Sequence, residues 1–170
     1  NFVSMDTAKN LGPAAVGAMA VHAADQLLRE HFEDTGNPWP GGNTYGLFVA
    51  QLPAAFGWWM VGHALDHANT AEAGRDLARA QISAMSWTYA VKYAVNRDRP
   101  NGDPRAFPSG HASTSFATAV ILQRHYGWKA GVAAFAAAVY TGASRVTAAK
   151  HWASDVAFGA ALGMQSARVV

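Results

Sequence analysis

Alanine provides 37 of the 170 residues and is spread along the chain, whereas glycine and proline cluster in short segments. Alanine has the highest helix propensity, and its small side chain lets helices pack closely. Hydrophobic residues make up 51% of the chain and the formal net charge is only +2, which excludes an intrinsically disordered protein. The sequence therefore predicts an all-α protein, a compact bundle of about six helices that forms one domain over residues 1–170.

The helices are predicted from runs that lack glycine and proline clusters, and they cover residues 13–32, 44–67, 70–95, 109–126, 129–144 and 147–167. Proline and glycine place loops at 33–43 and 96–108, and Gly127 separates the fourth helix from the fifth. Asn69 and Glu72 form a predicted capping box at the start of the third helix. The apolar stretch 45–65 is interpreted as a buried core helix, because a glutamine, a proline and a histidine interrupt it.

Charge is unevenly distributed along the chain. Residues 92–150 contain 8 basic and 2 acidic side chains, whereas residues 1–91 contain 4 basic and 8 acidic ones. The basic residues stand singly among apolar ones, which indicates a local anion site rather than a surface for nucleic acid. The absence of cysteine excludes disulfides, thiolate metal sites and a cysteine nucleophile.

Two cationic residues are grouped at the end of the third predicted helix. Lys92 falls in its last turns, and Arg99 precedes Pro100, which disfavours a helical conformation and places Arg99 in the loop. Both side chains therefore leave the same helix end. Taken alone, such a pair is better explained by its favourable interaction with the helix dipole.

The segment from Phe107 to His111 joins the proline-rich loop to the fourth helix. Ser109 is a good N-cap residue, and Gly110 has no side chain to keep a ligand from the backbone. The unpaired N–H groups and the dipole of a helix N-terminus attract anions, and His111 falls in the first turn. Taken alone, this is also the pattern of an ordinary serine-capped helix with a surface histidine.

The last group consists of Ser144 and Arg145, followed by His151 and Asp155. The histidine and aspartate are four residues apart, so on a helix they would share a face. The carboxylate could then hold the proton of one imidazole nitrogen and leave the other free as a nucleophile. Taken alone, this spacing more often marks a surface pair.

The three groups together are far more specific than any one of them. Their combination resembles the tripartite signature of the type 2 phosphatidic acid phosphatase family, whose superfamily also contains bacterial non-specific acid phosphatases and vanadium haloperoxidases. The resemblance extends from Lys92 to Asp155 with no departure in spacing or residue type. Residues 1–91 contribute only a compatible helical pattern.

The resemblance implies a role for each residue of the signature. Phosphate oxygens would be held by the side chains of Lys92, Arg99 and Arg145, by the hydroxyl of Ser109 and by the N–H of Gly110. The catalytic residues would be His151, which attacks phosphorus, Asp155, which fixes the tautomer of His151, and His111, which protonates the leaving oxygen. Three cations and a helix N-terminus suit such an oxyanion site without a metal ion.

The function implied is that of a phosphatase without metal or cofactor, which hydrolyses phosphate monoesters or diphosphates, above all those of lipids, through a phosphohistidine. Vanadate and phosphate are expected to inhibit it. Two alternatives stay open: a vanadium-dependent haloperoxidase that uses the same cradle, and a non-catalytic membrane or binding module. No nucleic-acid partner is expected.

Other residues have weaker signals. His63 and His67 could ligate zinc from one helix face, but the pattern lacks the glutamate of a His-Glu-x-x-His site and favours a pocket or surface position. The aromatic side chains of residues 48, 56, 58 and 59 are interpreted as core, with contact to an acyl or prenyl chain as the alternative.

The chain starts at Asn1 without a basic or apolar leader, so we expect a processed or trimmed chain. Family members commonly act at the outer face of the bacterial inner membrane. The resemblance therefore implies a periplasmic location with peripheral membrane contact. The residues of the signature would contact only the phosphate group, so the identity of the substrate stays open.

Overall fold

A computed structural model describes residues 4–35, 39 and 41–170, and these residues form helices and no strand. The all-α prediction is confirmed. Residues 1–3 at the chain start and residues 36–38 and 40 of the predicted 33–43 loop lie outside the described residues. The helices are α1 (Met5–His22), α2 (Asp25–Thr35), α3 (Gly42–Tyr45), α4 (Phe48–Ala64), α5 (Ala68–Val95), α6 (Gly110–Thr147) and α7 (Ala153–Arg168).

The first two predicted helices each divide into two. The predicted helix 13–32 is α1 and α2: α1 begins early because the Ser4 side chain caps it, and α2 turns away so that Asp25 reaches Ser154. The predicted helix 44–67 is α3 and α4, with a break at Gly46. A Cβ at Gly46 would lie 2.6 Å from a side-chain carbon of Thr141, so only glycine allows this approach.

The predicted capping box at the start of α5 is wrong. The helix begins at Ala68 with His67 as its N-cap residue, and no side chain caps it. Asn69 lies inside the first turn, and its Nδ2 donates a hydrogen bond to the backbone oxygen of His125 at 3.1 Å. A contact with α6 therefore takes the side chain that the sequence assigned to the cap.

The helical segment α6 contains the break predicted at Gly127, whose φ of 80° and ψ of −176° are not helical. Its end residues, Gly110 and Thr147, would lie roughly 55 Å apart on a straight helix. The rings of Phe116 and Phe135 instead lie 6.0 Å apart on opposite sides of the break. The two arms of α6 therefore run back along each other and bring its ends together.

The last helix begins at Ala153 and not at the predicted residue 147. Two backbone N–H groups, those of Lys150 and His151, donate to the backbone oxygen of Arg145 at 3.0 and 3.1 Å. This turn reverses the chain after α6, with Ala149 at a positive φ of 53°. His151 consequently lies in the turn and not on a helix.

Small residues form the contacts among the central helices. The core cluster contains six alanines of α5 and its neighbours around Leu77 and Ile121. Helices α6 and α7 approach so closely that a Cβ at Gly163 would lie 2.0 Å from the backbone oxygen of Ser113. A Cβ at Gly159 would lie 2.5 Å from the backbone oxygen of Ser109. Helix α7 is thus held directly against the first turn of α6.

The interpretation of residues 45–65 as a buried core helix is wrong. In α4 the buried residues are Ala55 and Gly62, whereas Phe56, Trp58 and Trp59 are 41–48% exposed. The helix rests on α5 through its small residues and turns its large side chains outward. Within the described ranges, the model contains no helix that is both long enough and apolar enough to cross a membrane.

We expect Gly163→Ala to destabilise the protein by about 2–3 kcal/mol, because the added methyl group must push α7 away from the backbone of Ser113. Thermal and chemical unfolding measure the change. Gly57→Ala is the matched control: Gly57 lies inside α4 with no atom within 4 Å of its added Cβ, so it should stabilise the protein by up to about 1 kcal/mol. Equal effects of the two substitutions would contradict the close approach.

Candidate active site

A cavity of about 510 Å³ opens where the ends of α5, α6 and α7 meet. One side of it is mostly basic and is lined by Lys92, Arg99, Asp103, Arg105, Gly110, His111, Arg145 and His151. The other side is lined mainly by apolar residues, which are Gly46, Leu47, Phe48, Val49, Met85 and Tyr89. Six of the eight residues predicted from the sequence thus share one cavity.

The remaining two predicted residues, Ser109 and Asp155, lie behind the cavity. Both are fully buried. The Oγ of Ser109 accepts a hydrogen bond from the N–H of Ala112 at 3.4 Å, which confirms its place as the N-cap of α6. This arrangement uses the hydroxyl to start the helix whose N-terminus faces the cavity.

The three predicted cations lie together although like charges repel: Lys92 and Arg145 are buried, and Arg99 is half-buried. Lys92 donates to the backbone oxygens of Arg105 at 2.7 Å and Ala106 at 3.1 Å. Burial and then the charge of Arg99 lower the pKa of Lys92 to about 8. Burial and Arg99 likewise lower the pKa of Arg145. The cavity therefore concentrates positive charge that the surrounding protein only partly compensates.

Two N–H donors of this cluster are unused. The Nε atoms of Arg99 and Arg145 are buried and have no hydrogen-bond partner among the described residues. Arg145 is oriented by its Nη1, which donates to the side-chain oxygen of Asn43 at 2.8 Å. Buried donors without an acceptor are unfavourable, so this arrangement is suited to an anion that supplies the acceptors.

His111 extends from the first turn of α6 into the cavity. Burial, followed by the charge of Arg145, lowers its pKa to about 4. Its Nε2 is buried and has no hydrogen-bond partner in the described structure. His111 is thus neutral near pH 7 when the cavity holds no anion, with one ring nitrogen facing the cluster of cations.

His151 is only 3% exposed and lies above Asp155. Its Nδ1 is 3.5 Å from Oδ2 of Asp155, within ion-pair distance, and has no hydrogen-bond partner among the described residues. Burial lowers the pKa of His151 to about 4, and the carboxylate of Asp155 opposes this effect. The predicted shared helix face is wrong: the two residues meet because the turn before α7 folds His151 back over the helix start.

Asp155 is held in place by hydrogen bonds that the sequence did not reveal. Its Oδ2 accepts the backbone N–H of Trp152 at 2.9 Å, which fixes the first turn of α7. Its Oδ1 accepts a hydrogen bond from Nη1 of Arg97, also at 2.9 Å. Arg97 stands two residues before Arg99, in a segment that the sequence analysis did select, but nothing in the pattern distinguishes its role.

Asn43 was also missed, because it contacts Arg145 across 102 residues of sequence and belongs to no recognisable pattern. Two histidines were considered as zinc ligands. The ring of His63 packs against the ring of Trp59, with 4.7 Å between the ring centres, and His67 is the N-cap residue of α5. Where the structure is described, His, Asp and Glu side chains form no group of three that could hold a metal ion. Trp58 donates its Nε1 to the hydroxyl of Tyr126 at 2.7 Å, at the exposed surface.

Comparisons with solved structures show a common fold. The chain aligns with a transmembrane PAP2 type phosphatidylglycerolphosphate phosphatase from Bacillus subtilis with a TM-score of 0.77 and 21% identity, over 94% of this chain and 89% of the other. It aligns with LpxE from Aquifex aeolicus with a TM-score of 0.64 and 19% identity, over 85% and 93% of the two chains.

Sequence comparisons match part of the chain to known proteins. A segment of 79 residues is 43% identical to a lipid A 1-phosphatase of Porphyromonas gingivalis, and this match covers 44% of the chain. It spans only 18% of the length of that relative. The family model of the PAP2 superfamily matches residues 74–170, which is more than half of the chain and includes all eight predicted site residues. The chain therefore belongs to the PAP2 superfamily.

Proposed function

We propose that the protein is a phosphatase that needs no metal ion and hydrolyses phosphate monoesters or diphosphates of lipids through a phosphohistidine. The observation that supports this most directly is one cavity lined by three cations, two of which have a buried and unused Nε–H donor, beside a histidine whose Nδ1 faces a carboxylate. Such donors match the oxygens of a phosphoryl group and stabilise the charge of its transition state.

The first half of the reaction forms the phosphohistidine. Nδ1 of His151 faces Asp155, so Nε2 is the atom that attacks phosphorus, opposite the leaving oxygen. The N–P bond forms as the P–O bond breaks, and His111 gives its proton to the leaving oxygen. Because the pKa of His151 is lowered to about 4, its ring carries the free electron pair at neutral pH.

The second half releases phosphate. His111, now neutral, takes a proton from a water molecule, and the resulting hydroxide attacks phosphorus and breaks the N–P bond. Inorganic phosphate leaves, and His151 returns to its neutral form. The carboxylate of Asp155 stabilises the positive ring of the phosphohistidine between the two steps.

The protonation of His111 depends on the substrate. After burial itself, its pKa is lowered by the positive charges of Arg145, Arg99 and Lys92, and by His151 when that ring is protonated. A phosphate dianion bound among them cancels this effect and favours the protonated ring. We therefore propose that His111 acquires its proton together with the anion.

Lipid substrates are supported by the apolar wall of the cavity. Leu47, Phe48 and Val49 line it opposite the cations, so a molecule with a phosphate at one end and an acyl chain at the other fits both sides. The names of the relatives point the same way, since one is a lipid A 1-phosphatase and another a phosphatidylglycerolphosphate phosphatase.

A lipid substrate requires access to a membrane, and we propose peripheral contact at the periplasmic face. Exposed apolar side chains on α4 support such contact, and they include Val49, Phe56, Trp58, Trp59, Met60 and Val61. Val49 also lines the cavity, so this surface is continuous with the mouth of the proposed site.

The substrate class is tested with a panel of lipid phosphates in mixed micelles and soluble sugar or aryl phosphates, all with EDTA present. Wild-type protein should hydrolyse the panel in EDTA, and Phe48→Ala should lower the ratio of kcat/KM for lipid to soluble substrates by about tenfold, because an apolar contact is lost. Val132→Ala, at an exposed position of α6 that belongs neither to the cavity nor to the apolar surface of α4, should leave the ratio unchanged. Activity that depends on added zinc, or halide oxidation with vanadate and peroxide but no hydrolysis, would contradict the proposal.

The two histidines are separated by their response to the leaving group. His151→Asn should abolish turnover of every substrate because the nucleophile is lost. His111→Asn should lower kcat about 10²–10⁴-fold for an alkyl phosphate but no more than about tenfold for 4-nitrophenyl phosphate, whose leaving oxygen needs little protonation. Equal losses on both substrates would show that His111 is not the leaving-group acid.

Coupling between anion binding and protonation of His111 is measured with sulfate, which remains a dianion from about pH 5 to pH 8. Free His111 has a pKa of about 4, so at pH 6 sulfate binding should take up close to one proton, whereas Lys92, with a pKa of about 8, is already charged. Calorimetry in buffers of different ionisation enthalpy counts the protons. His111→Asn should lose the uptake and His151→Asn should keep it; uptake that survives in His111→Asn would assign the proton elsewhere.

A further inference from the structure

Arg97 is a half-buried residue behind the cavity whose guanidinium bonds to several side chains. It does not belong to the residues that contact the proposed substrate. It follows α5 directly, and its side chain is 21% exposed. Nη1 donates to Oδ1 of Asp155 at 2.9 Å and to Oγ of Ser154 at 2.7 Å. Nη2 donates to Oδ2 of Asp25 at 2.8 Å and lies 3.0 Å from Nδ1 of His22. One guanidinium therefore joins two carboxylates on different helices.

We propose that Arg97 is a positioning residue for the nucleophile, fixing the carboxylate of Asp155 so that its Oδ2 faces His151, and that Asp25 holds Arg97 in this orientation. This inference rests on the proposed function, in which His151 attacks phosphorus. It assigns a role to Arg97, which lies behind the site, and to Asp25 of α2, which orients Arg97.

The geometry of Asp155 explains why such a residue is needed. A carboxylate rotates freely about its last bond unless both oxygens are held. Here the N–H of Trp152 holds Oδ2 and Arg97 holds Oδ1, so the plane of the carboxylate is set from two directions. The distance of 3.5 Å between Nδ1 of His151 and Oδ2 leaves little attraction to hold the carboxylate from the histidine side.

Asp25, which accepts a hydrogen bond from Nη2 of Arg97, is itself held by several hydrogen bonds. Asp25 is 4% exposed and accepts the N–H and the hydroxyl of Ser154 at 2.9 and 2.6 Å, besides its bond from Arg97. Burial alone would raise its pKa, but the hydrogen bonds from Arg97 and Ser154 lower it below the usual value. Asp25 belongs to α2, which lies outside the residues 74–170 matched by the family model.

The guanidinium of Arg97 also contacts an aromatic ring. The guanidinium carbon of Arg97 lies 5.2 Å from the ring centre of Trp152, whose own Nε1 donates to the backbone oxygen of Asp98 at 2.8 Å. A planar guanidinium can stack on a ring and bond to two carboxylates at once, whereas the ammonium of a lysine cannot do both. The site is therefore built for arginine in particular.

We expect Arg97 to act on the titration of His151 through Asp155, whose negative charge it partly compensates. The charged and titratable groups around His151 come from every neighbouring element, and they are Asp25 and Arg29 of α2, Lys92 of α5, Arg97, Arg99, Asp103 and Arg105 of the loop, His111 and Arg145 of α6, and Asp155 of α7. Removing Arg97 leaves the charge of Asp155 less compensated and favours the protonated ring. Removing the charge of Asp25 leaves the positive charge of Arg97 less compensated, so it disfavours the protonated ring of His151.

The experiment combines kcat with the pKa of His151, measured by NMR on the ligand-free protein and assigned by comparison with His151→Asn. Arg97→Met should lower kcat about 10–100-fold with little change in KM, and should raise the pKa of His151 by about one unit. Asp25→Asn should lower kcat as well but shift the pKa of His151 downward. Arg97→Lys keeps the charge without the fork, so it should lose about tenfold in kcat while the pKa stays near the wild-type value.

Arg79→Met, an exposed arginine of α5 away from the cavity, is the matched control and should behave as wild type. Circular dichroism and melting curves check that each variant is folded. If Arg97→Met does not fold, Arg97→Lys and Asp25→Asn carry the same test, since a merely structural role would lower stability without moving the pKa in a defined direction. Wild-type kcat in Arg97→Lys, or a pKa of His151 that shifts upward or not at all in Asp25→Asn, would overturn the proposal.

The same measurements separate this inference from the proposed function. Wild-type protein without phosphatase activity would reject the proposed function, while the NMR titrations would still report whether Arg97 and Asp25 control His151. An active wild type whose variants lack the expected shifts would reject the role of Arg97 alone.

Discussion

Repulsion among buried like charges is the constraint on which this structure depends. Lys92, Arg99 and Arg145 share one cavity with His111, and burial makes each charge more expensive to maintain. The protein offsets part of this with neutral acceptors, the backbone oxygens of Arg105 and Ala106 for the lysine and the side chain of Asn43 for Arg145. The charge that remains uncompensated makes the cavity suited to an anion, and together with burial it lowers the pKa of His111 and of His151.

Holding these charges together requires close helix packing. The cations come from the C-terminal ends of α5 and α6 and from the loop that follows α5, so these segments must lie close together. The break at Gly127 returns α6 on itself, and Gly159 and Gly163 let α7 lie directly on the first turns of α6. A bundle built from larger side chains would place these helix ends several ångströms farther apart. The high alanine content is therefore as much a condition of the site as of the fold.

The sequence was sufficient for the fold class and for the residues that face the cavity. Propensity and the Gly127 break predict the helices, and the three-part pattern selects the cations and histidines because their chemistry is local to each segment. Predictions from the sequence were wrong where contacts between distant residues determine the local structure. The capping box at Asn69 was wrong because α6 takes that side chain, and His151 was placed on a helix that the turn at Ala149 delays.

The same reason explains why Arg97 and Asn43 were not found. Their partners, Asp25 and Arg145, are 72 and 102 residues away, and no periodicity in one segment reports on contacts of that range. Arg97 resembles any other cation of its loop until the fold supplies two carboxylates. The residues that touch the proposed substrate can thus be recognised from the chain alone, whereas the residues that orient them can be recognised only from the fold.

The distribution of polarity in the bundle is reversed relative to most water-soluble helices. Polar side chains such as Gln81, Thr88 and Ser113 are buried and bonded to one another between helices, while tryptophans and other large apolar side chains of α4 are exposed. Burial of large apolar groups therefore contributes less to the stability of this bundle than close backbone packing and hydrogen bonds between helices do. The outward apolar side chains can be buried only against another phase or another molecule. A lipid surface, which the proposed substrate class requires, would bury them without any rearrangement of the core that holds the cations in place.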